Sequence, residues 1–215
     1  MAEVVTAGRL TVVTHPLVQH KLSYLRDRTT PTVHFRKLAN EVTLLLAYEA
    51  TKDLPTEEVE IETPLERTSA QRISGKKVAV CPVLRAGLGM LDGVLSLVSS
   101  ARVGFLGMYR DEETLQPVEY YVKLPGDLDQ RDAIVLDPML ATGRSSSAAI
   151  ATVKGAGARS VMLVCLVSAP EGIEQVHRDH PDVHIVTAAI DRGLDERGFI
   201  VPGLGDAGDR LYGTR

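Results

Sequence analysis

Short runs of β-branched and aliphatic residues recur along the second half of the chain, at residues 78–83, 103–109, 133–137, 161–168 and 183–190. Each predicts a strand. Between several of them the apolar positions change period. Leu88, Leu91, Val94, Leu95 and Val98 follow the first run at helical spacing, and Ala148, Ala149, Thr152, Val153 and Ala156 follow the third. Gly155 and Gly157 offer a stop for that second helix before the next strand. Such alternation predicts βαβ units, hence an open α/β fold whose twisted, largely parallel sheet is flanked by helices. Upstream, residues 15–26 and a longer stretch carrying Phe35, Leu38, Val42, Leu45, Leu46 and Glu49 are amphipathic at helical period. They predict an N-terminal helical segment within residues 1–55. Asp111-Glu112-Glu113-Thr114, followed by Tyr120, Tyr121 and Val122, predicts a β-hairpin over residues 110–125 that projects from the sheet. Its tip serves equally as a solvated turn or as a mobile lid. After Ile190 the chain turns glycine-rich without another long helical pattern, and no repeat or linker interrupts it. Residues 1–215 therefore read as a single domain.

Composition narrows the function classes. The 215 residues are 44% hydrophobic and 24% charged, enough for one sizeable core. A formal net charge of −4 does not favour nucleic acid or anionic membrane surfaces, so an anionic ligand has to be held by a local site. Cys81 and Cys165 lie in apolar runs and form no CxxC or Cys/His cluster that would read as a zinc site, so buried thiols are expected. No apolar run reaches the roughly 18 residues of a membrane span. Glu3 stands near the N-terminus and no basic segment leads into a hydrophobic stretch, so no secretory signal is expected and the cytoplasm is the default compartment.

The most informative segment is Ile134-Val135-Leu136-Asp137-Pro138-Met139-Leu140-Ala141-Thr142-Gly143-Arg144-Ser145-Ser146. An apolar strand ends in a carboxylate, and small residues lead into a helix start. Unpaired N–H groups and the helix dipole make such a turn fit for a phosphate. Gly143 lets the main chain approach closely, and Thr142, Ser145 and Ser146 carry hydroxyl donors. Asp137, at the carboxyl end of a parallel strand, stands where open α/β sheets bind ligands, and could accept hydrogen bonds from ribose hydroxyls. Geometry alone leaves an unliganded turn with an Asp and a serine cap as an equal reading. The order Asp137-Pro138-Met139-Leu140-Ala141-Thr142-Gly143, however, resembles the 5-phosphoribosyl diphosphate (PRPP) loop of the uracil phosphoribosyltransferases, a branch of the type I phosphoribosyltransferases. Proline at the second position is this branch's pattern; Arg144 departs from it, standing where a second glycine is common.

Near the C-terminus, residues 203–208 satisfy the dinucleotide fingerprint GxGxxG. That fingerprint works only between a strand and a long helix, and just seven residues follow Gly208, so a nucleotide-dependent oxidoreductase is a poor reading. A stretch of glycines and a proline exposes main-chain N–H and C=O groups, which suit the edge of a small uncharged ring. A glycine-rich loop packed on the core is the plain alternative. The run Gly198-Phe199-Ile200-Val201-Pro202-Gly203-Leu204-Gly205-Asp206-Ala207, continuing to Leu211-Tyr212-Gly213-Thr214, is similar to the uracil-binding signature of the same family. The resemblance implies that Ile200, Gly205, Asp206 and Ala207 contact the base within a segment spanning 191–215, and that Asp206 also faces PRPP.

Arg85, in Val83-Leu84-Arg85-Ala86-Gly87, and Arg110, in Gly107-Met108-Tyr109-Arg110, each follow a predicted strand. Guanidinium groups pair with phosphate oxygens bidentately, and both segments match stretches of the family that contact pyrophosphate. The resemblance runs from His15-Pro16-Leu17-Val18 to Gly213-Thr214. It implies an enzyme that joins uracil to PRPP, yielding UMP and pyrophosphate in pyrimidine salvage, with Mg²⁺ arriving as the Mg–PRPP complex. Asp137, Asp206 and Arg110 are then the expected catalytic residues. Arg85, Arg110, Asp206 and the run Asp137, Pro138, Met139, Leu140, Ala141, Thr142, Gly143, Arg144 and Ser145 are expected at PRPP. Relatives form homodimers or larger homo-oligomers, and GTP activates some of them, so a second copy and GTP are candidate partners. A non-catalytic regulator that senses PRPP or uracil on the same fold is the alternative.

Overall fold

The structure, a computed structural model, describes residues 4–7, 9–110 and 117–214. In chain order its elements are β1 (Val4–Ala7), β2 (Leu10–Val13), α1 (Pro16–Arg26), α2 (Thr32–Ala50), β3 (Thr56–Glu62), β4 (Arg67–Ile73), β5 (Ala79–Leu84), α3 (Leu88–Leu97), β6 (Arg102–Val103), β7 (Phe105–Arg110) and β8 (Pro117–Lys123). They continue with β9 (Asp132–Leu136), β10 (Met139–Leu140), α4 (Arg144–Gly155), β11 (Ser160–Cys165), β12 (Val167–Ser168), α5 (Pro170–Asp179), β13 (His184–Thr187), β14 (Gly193–Leu194), β15 (Ile200–Val201) and α6 (Ala207–Tyr212). The main sheet has nine strands in the order β1-β2-β13-β11-β9-β5-β7-β8, with β6 paired to β5. All pairings from β2 across to β7 are parallel, and the two edge strands, β1 and β8, pair antiparallel.

Each central strand sends alternate side chains to opposite faces, as the pleat requires. Val80, Ile134, Leu136, Val164 and Val186 pack with α1, α2, α3 and α6, around Leu22, Phe35, Leu46, Met90 and Leu211. Ala79, Cys81, Ala133, Val135, Leu163 and Ile185 pack on the other face with Ile150 and Val153 of α4 and Val176 of α5. Strands covered on both faces have no polar side, which is why β5 reads as one unbroken apolar run.

Two antiparallel additions go beyond the sequence expectation. Residues 4–13, ahead of the expected helices, pair as β1 and β2 and extend the sheet beside β13. β3 and β4 form a separate two-stranded hairpin with a largely exposed surface. Val59 and Ile61 alternate with glutamates on β3, but β4 offers only Ala70 and Ile73 as apolar residues, so the apolar face is too short to announce it. The hairpin expected at 110–125 is built from β7 and β8, which continue the main sheet with a register shift between Gly107 and Met108. Its Asp111 to Thr114 tip lies outside the described residues.

Candidate active site

The order of the sheet creates a crevice where β5 meets β9. From β5 the chain goes outward to β7, whereas β9, β11 and β13 build the sheet on the opposite side. The carboxyl ends of β5 and β9 thus flank a switch point, the usual ligand position in open α/β sheets.

β9 delivers Asp137 to this crevice. Ser146 Oγ donates to Asp137 Oδ2 at 2.7 Å, and the Met139 N–H approaches Oδ1 at 3.4 Å. Burial pushes the Asp137 carboxyl above its ordinary pKa, and those two hydrogen bonds oppose the shift without cancelling it. The chain then turns through 141–143 into α4. Gly143 caps that helix in the left-handed region, φ +77°, with no side-chain cap. The first N–H groups of α4 are left to a ligand. A Cβ on Gly143 would stand 2.6 Å from the Gly172 carbonyl oxygen, and one on Gly172 would stand 2.5 Å from that of Ala141. The start of α5 therefore presses directly on the loop, and only glycines fit at the contact.

Arg85 follows β5 through a cis Leu84–Arg85 peptide. A Cβ on Gly87 would lie 2.5 Å from the Leu136 carbonyl oxygen, so this turn is packed against the end of β9, beside Asp137. From the other side Tyr212 Oη donates to the Arg85 carbonyl at 3.0 Å.

The C-terminal segment arches over the crevice. Asp206 is the N-cap of α6, its Oδ1 accepting from the Asp209 N–H at 2.9 Å. Arg210 anchors the turn by donating to the carbonyls of Leu204 at 2.9 Å and Asp27 at 2.6 Å and to that of Leu25, with its guanidinium 4.3 Å from the centre of the Phe35 ring.

Two cavities result. The larger, about 330 Å³, is lined by the Arg85 turn, Asp137, Thr142, Gly143, Ser145, Ser146 and Asp206. The smaller, about 190 Å³, lies between Met139, Ala141, Phe199, Ile200, Gly205, Asp206 and Ala207. Met139, Ala141, Gly198 and Asp206 line both. The 137–146 loop and the glycine-rich segment, over fifty positions apart in the chain, thus meet at one wall.

The sequence pattern of the family described as uracil phosphoribosyltransferase matches residues 12–214. This chain belongs to that family. A uracil phosphoribosyltransferase of Streptococcus mutans is 59% identical over 208 residues, 97% of this chain and all of the relative. A solved structure from Aquifex aeolicus superimposes with a TM-score of 0.91 at 38% identity, covering 95% of this chain and 98% of its own. The adenine phosphoribosyltransferase of Trypanosoma brucei shares the fold alone, with a TM-score of 0.61 at 10% identity over 91% of this chain and 90% of its own.

Most of the expected family residues converge. Arg85, Asp137, Met139, Ala141, Thr142, Gly143, Ser145 and Asp206 line the larger cavity, and Ile200, Gly205, Asp206 and Ala207 the smaller. Three of the expected loop residues, Pro138, Leu140 and Arg144, do not line the larger cavity. Pro138 is buried and gives its carbonyl to the Leu166 and Val167 N–H groups at 3.1 Å each. The Leu140 side chain is fully buried in the core beneath α4. Arg144 lines a separate hollow with Ser147, Gln175, Asp179 and His180, so its side chain lies on the far side of the α4 start. Arg110 closes β7, whose parallel partner is β5; its side chain lies outside the described residues. The GxGxxG pattern leads into the six residues of α6, too short for the long helix of a dinucleotide fold.

Sequence reasoning overlooked Met108, Gly198 and Phe199 as lining residues. Phe199 was within sight: a large apolar side chain inside the glycine-rich run, 43% exposed at the mouth of the smaller cavity. Among the described residues no group of three or more His, Cys, Asp or Glu side chains could hold a metal ion; Asp137 and Asp206 are the carboxylates at the larger cavity. No described helix is long and apolar enough to cross a membrane.

Proposed function

We propose that the two joined cavities bind PRPP and uracil side by side. The chain is a pentosyltransferase of the uracil phosphoribosyltransferase family, converting uracil and PRPP to UMP and pyrophosphate. The 5′-phosphate takes the uncapped N–H groups and hydroxyls of residues 142–145, Asp137 accepts from the ribose hydroxyls, and Arg85 and Arg110 take the diphosphate. Uracil occupies the smaller cavity against the backbone of Ile200 and of residues 205–207, with Asp206 at the junction. The C1′–O bond to pyrophosphate breaks as the C1′–N1 bond forms, and N1 gives up its proton to solvent or pyrophosphate. The transition state carries positive charge on the ribose, and the protein contributes position and charge. Mg²⁺ comes with the diphosphate and neutralises it; the sparse carboxylates at the cavity suit an ion carried by substrate.

The observation that carries this reading is the wall of Met139, Ala141, Gly198 and Asp206 common to both cavities. Two adjoining cavities that share a wall support the reading of a sugar phosphate and a flat ring held next to each other. The test is pyrophosphate release from PRPP with uracil, cytosine, orotate, hypoxanthine or adenine. Release with uracil far above the rest is expected. Uracil and PRPP binding without turnover would favour a regulator instead.

A homo-oligomeric state belongs to the same proposal. It is supported by the β3–β4 hairpin, since an isolated two-stranded hairpin is marginal in water, and by Leu17, Tyr24, Val33 and Tyr48 exposed on α1 and α2. Two unpaired buried cysteines suit the reducing cytosol.

A further inference from the structure

The base cleft is formed by a segment with little regular structure, since β15 has two residues and α6 six. Its shape is held from elsewhere. Arg26, in the last turn of α1, donates from its two terminal nitrogens to the two carboxylate oxygens of Asp191 at 2.8 and 2.7 Å. The same pair captures both backbone groups of Gly203. The Gly203 N–H donates to Asp191 Oδ2 at 2.8 Å, and its carbonyl accepts from Arg26 Nη1 at 2.8 Å. Asp191 is only 8% exposed and is tied to the sheet by its own N–H, which donates to the Ser168 carbonyl at 2.8 Å. Gly203 stands at φ +60°, where a Cβ would come 2.1 Å from the Ile200 carbonyl oxygen. The turn between Ile200 and Gly205 is thus restricted by sterics and clamped by charge. Neither Arg26 nor Asp191 lines either cavity.

We infer that Arg26 and Asp191 are positioning residues for nucleobase recognition. They fix Gly203, and through it the distances at which the backbone of Ile200 and of residues 205–207 meets the edge of the ring. A largely buried ion pair adds little net stability over a well-packed apolar pair; the two hydrogen bonds on Gly203, with two more locking the pair together, supply geometry instead. A ring distinguished by its pattern of donors and acceptors needs that geometry held closely, because a small displacement turns a matched edge into unpaired polar groups. This inference rests on the base-binding reading above.

The test compares wild type, Asp191→Asn, Arg26→Lys and Arg26→Gln for kcat, both Michaelis constants and the preference for uracil over cytosine. Asp191→Asn is expected to raise KM for uracil about tenfold, the scale of a lost charge-assisted hydrogen bond, and to lower the uracil preference alongside it. KM for PRPP should stay within about twofold, and Arg26→Lys, which keeps the charge without the fork, should fall between wild type and Arg26→Gln. If Asp191→Asn fails to fold, Arg26→Gln reads the same effect from the more exposed partner, whose side chain is 25% accessible. Parallel rises in both Michaelis constants, or a lower melting temperature with uracil KM and preference unchanged, would overturn the inference. Wild-type protein that releases no pyrophosphate with uracil overturns the base reading and this inference together. Wild-type turnover with unaltered uracil KM in the variants overturns this inference alone.

Discussion

The two halves of the site are stiffened by different physics. The phosphate loop is built locally, from a strand end, a left-handed glycine and a helix start, and is wedged in place by the neighbouring turn of α5. The base segment is held by contacts with a remote part of the chain: Arg26 of α1 grips both Asp191 and Gly203, and Arg210 reaches back to the carbonyls of Leu25 and Asp27. A phosphate needs only a bundle of outward N–H groups, which a helix start offers in any sequence with the right small residues. A neutral ring needs a contour, and a contour without regular secondary structure needs braces.

Five experiments sharpen or break this contrast. Gly143→Ala should have the largest effect, because it combines a positive φ with a collision at the Gly172 carbonyl. A displaced phosphate loop should cost about 100-fold or more in kcat/KM for PRPP, and steady-state kinetics near wild type would mean that the wedge is not rigid. Asp137→Asn should lose activity on a similar scale, yet melt no lower than the parent. Burial raises the Asp137 pKa, so the ionised carboxylate costs stability at every pH above its folded pKa, and an amide removes that cost. A clear fall in melting temperature would contradict this.

Asp206 offers a medium-sized test of the base segment. Both Asp206→Asn and Asp206→Ala should lose most turnover, but only alanine removes the cap on α6, worth about 1 kcal/mol. Denaturant unfolding should separate the two, and equal stabilities would deny the capping role seen at Asp209. The smallest effects concern fine tuning. Ser146→Ala removes a hydrogen bond that lowers the Asp137 pKa, so the acid limb of kcat/KM for PRPP should move to higher pH; movement to lower pH would exclude Asp137 as its source. Arg144→Ala, by contrast, should change KM for PRPP by about twofold at most, as expected for a surface substitution, since its side chain lines the hollow beyond the loop.

The same contrast explains what could be read from the residues alone. Strands β5, β9 and β11 were legible because burial on both faces leaves uninterrupted apolar runs, and the proposed phosphate loop because its motif is contiguous. The β3–β4 hairpin was not, because only Val59 and Ile61 alternate with the glutamates of β3, and β4 carries no matching apolar alternation. Pro138 and Leu140 sit within the loop motif, but alternation along β10 and its approach turns them inward. The Arg26–Asp191 pair joins residues 165 positions apart, and an arginine near a helix end or an aspartate after a strand is unremarkable until the fold brings them to the same glycine.

The partition wall formed by Met139, Ala141, Gly198 and Asp206 has one further consequence. With the proposed ring site on one side of it and the proposed sugar-phosphate site on the other, lined by largely separate residues, the fold would work as a socket with an interchangeable head. Re-sculpting residues 197–207 and their braces would be the economical route to a different nucleobase, leaving the cradle for the common donor untouched.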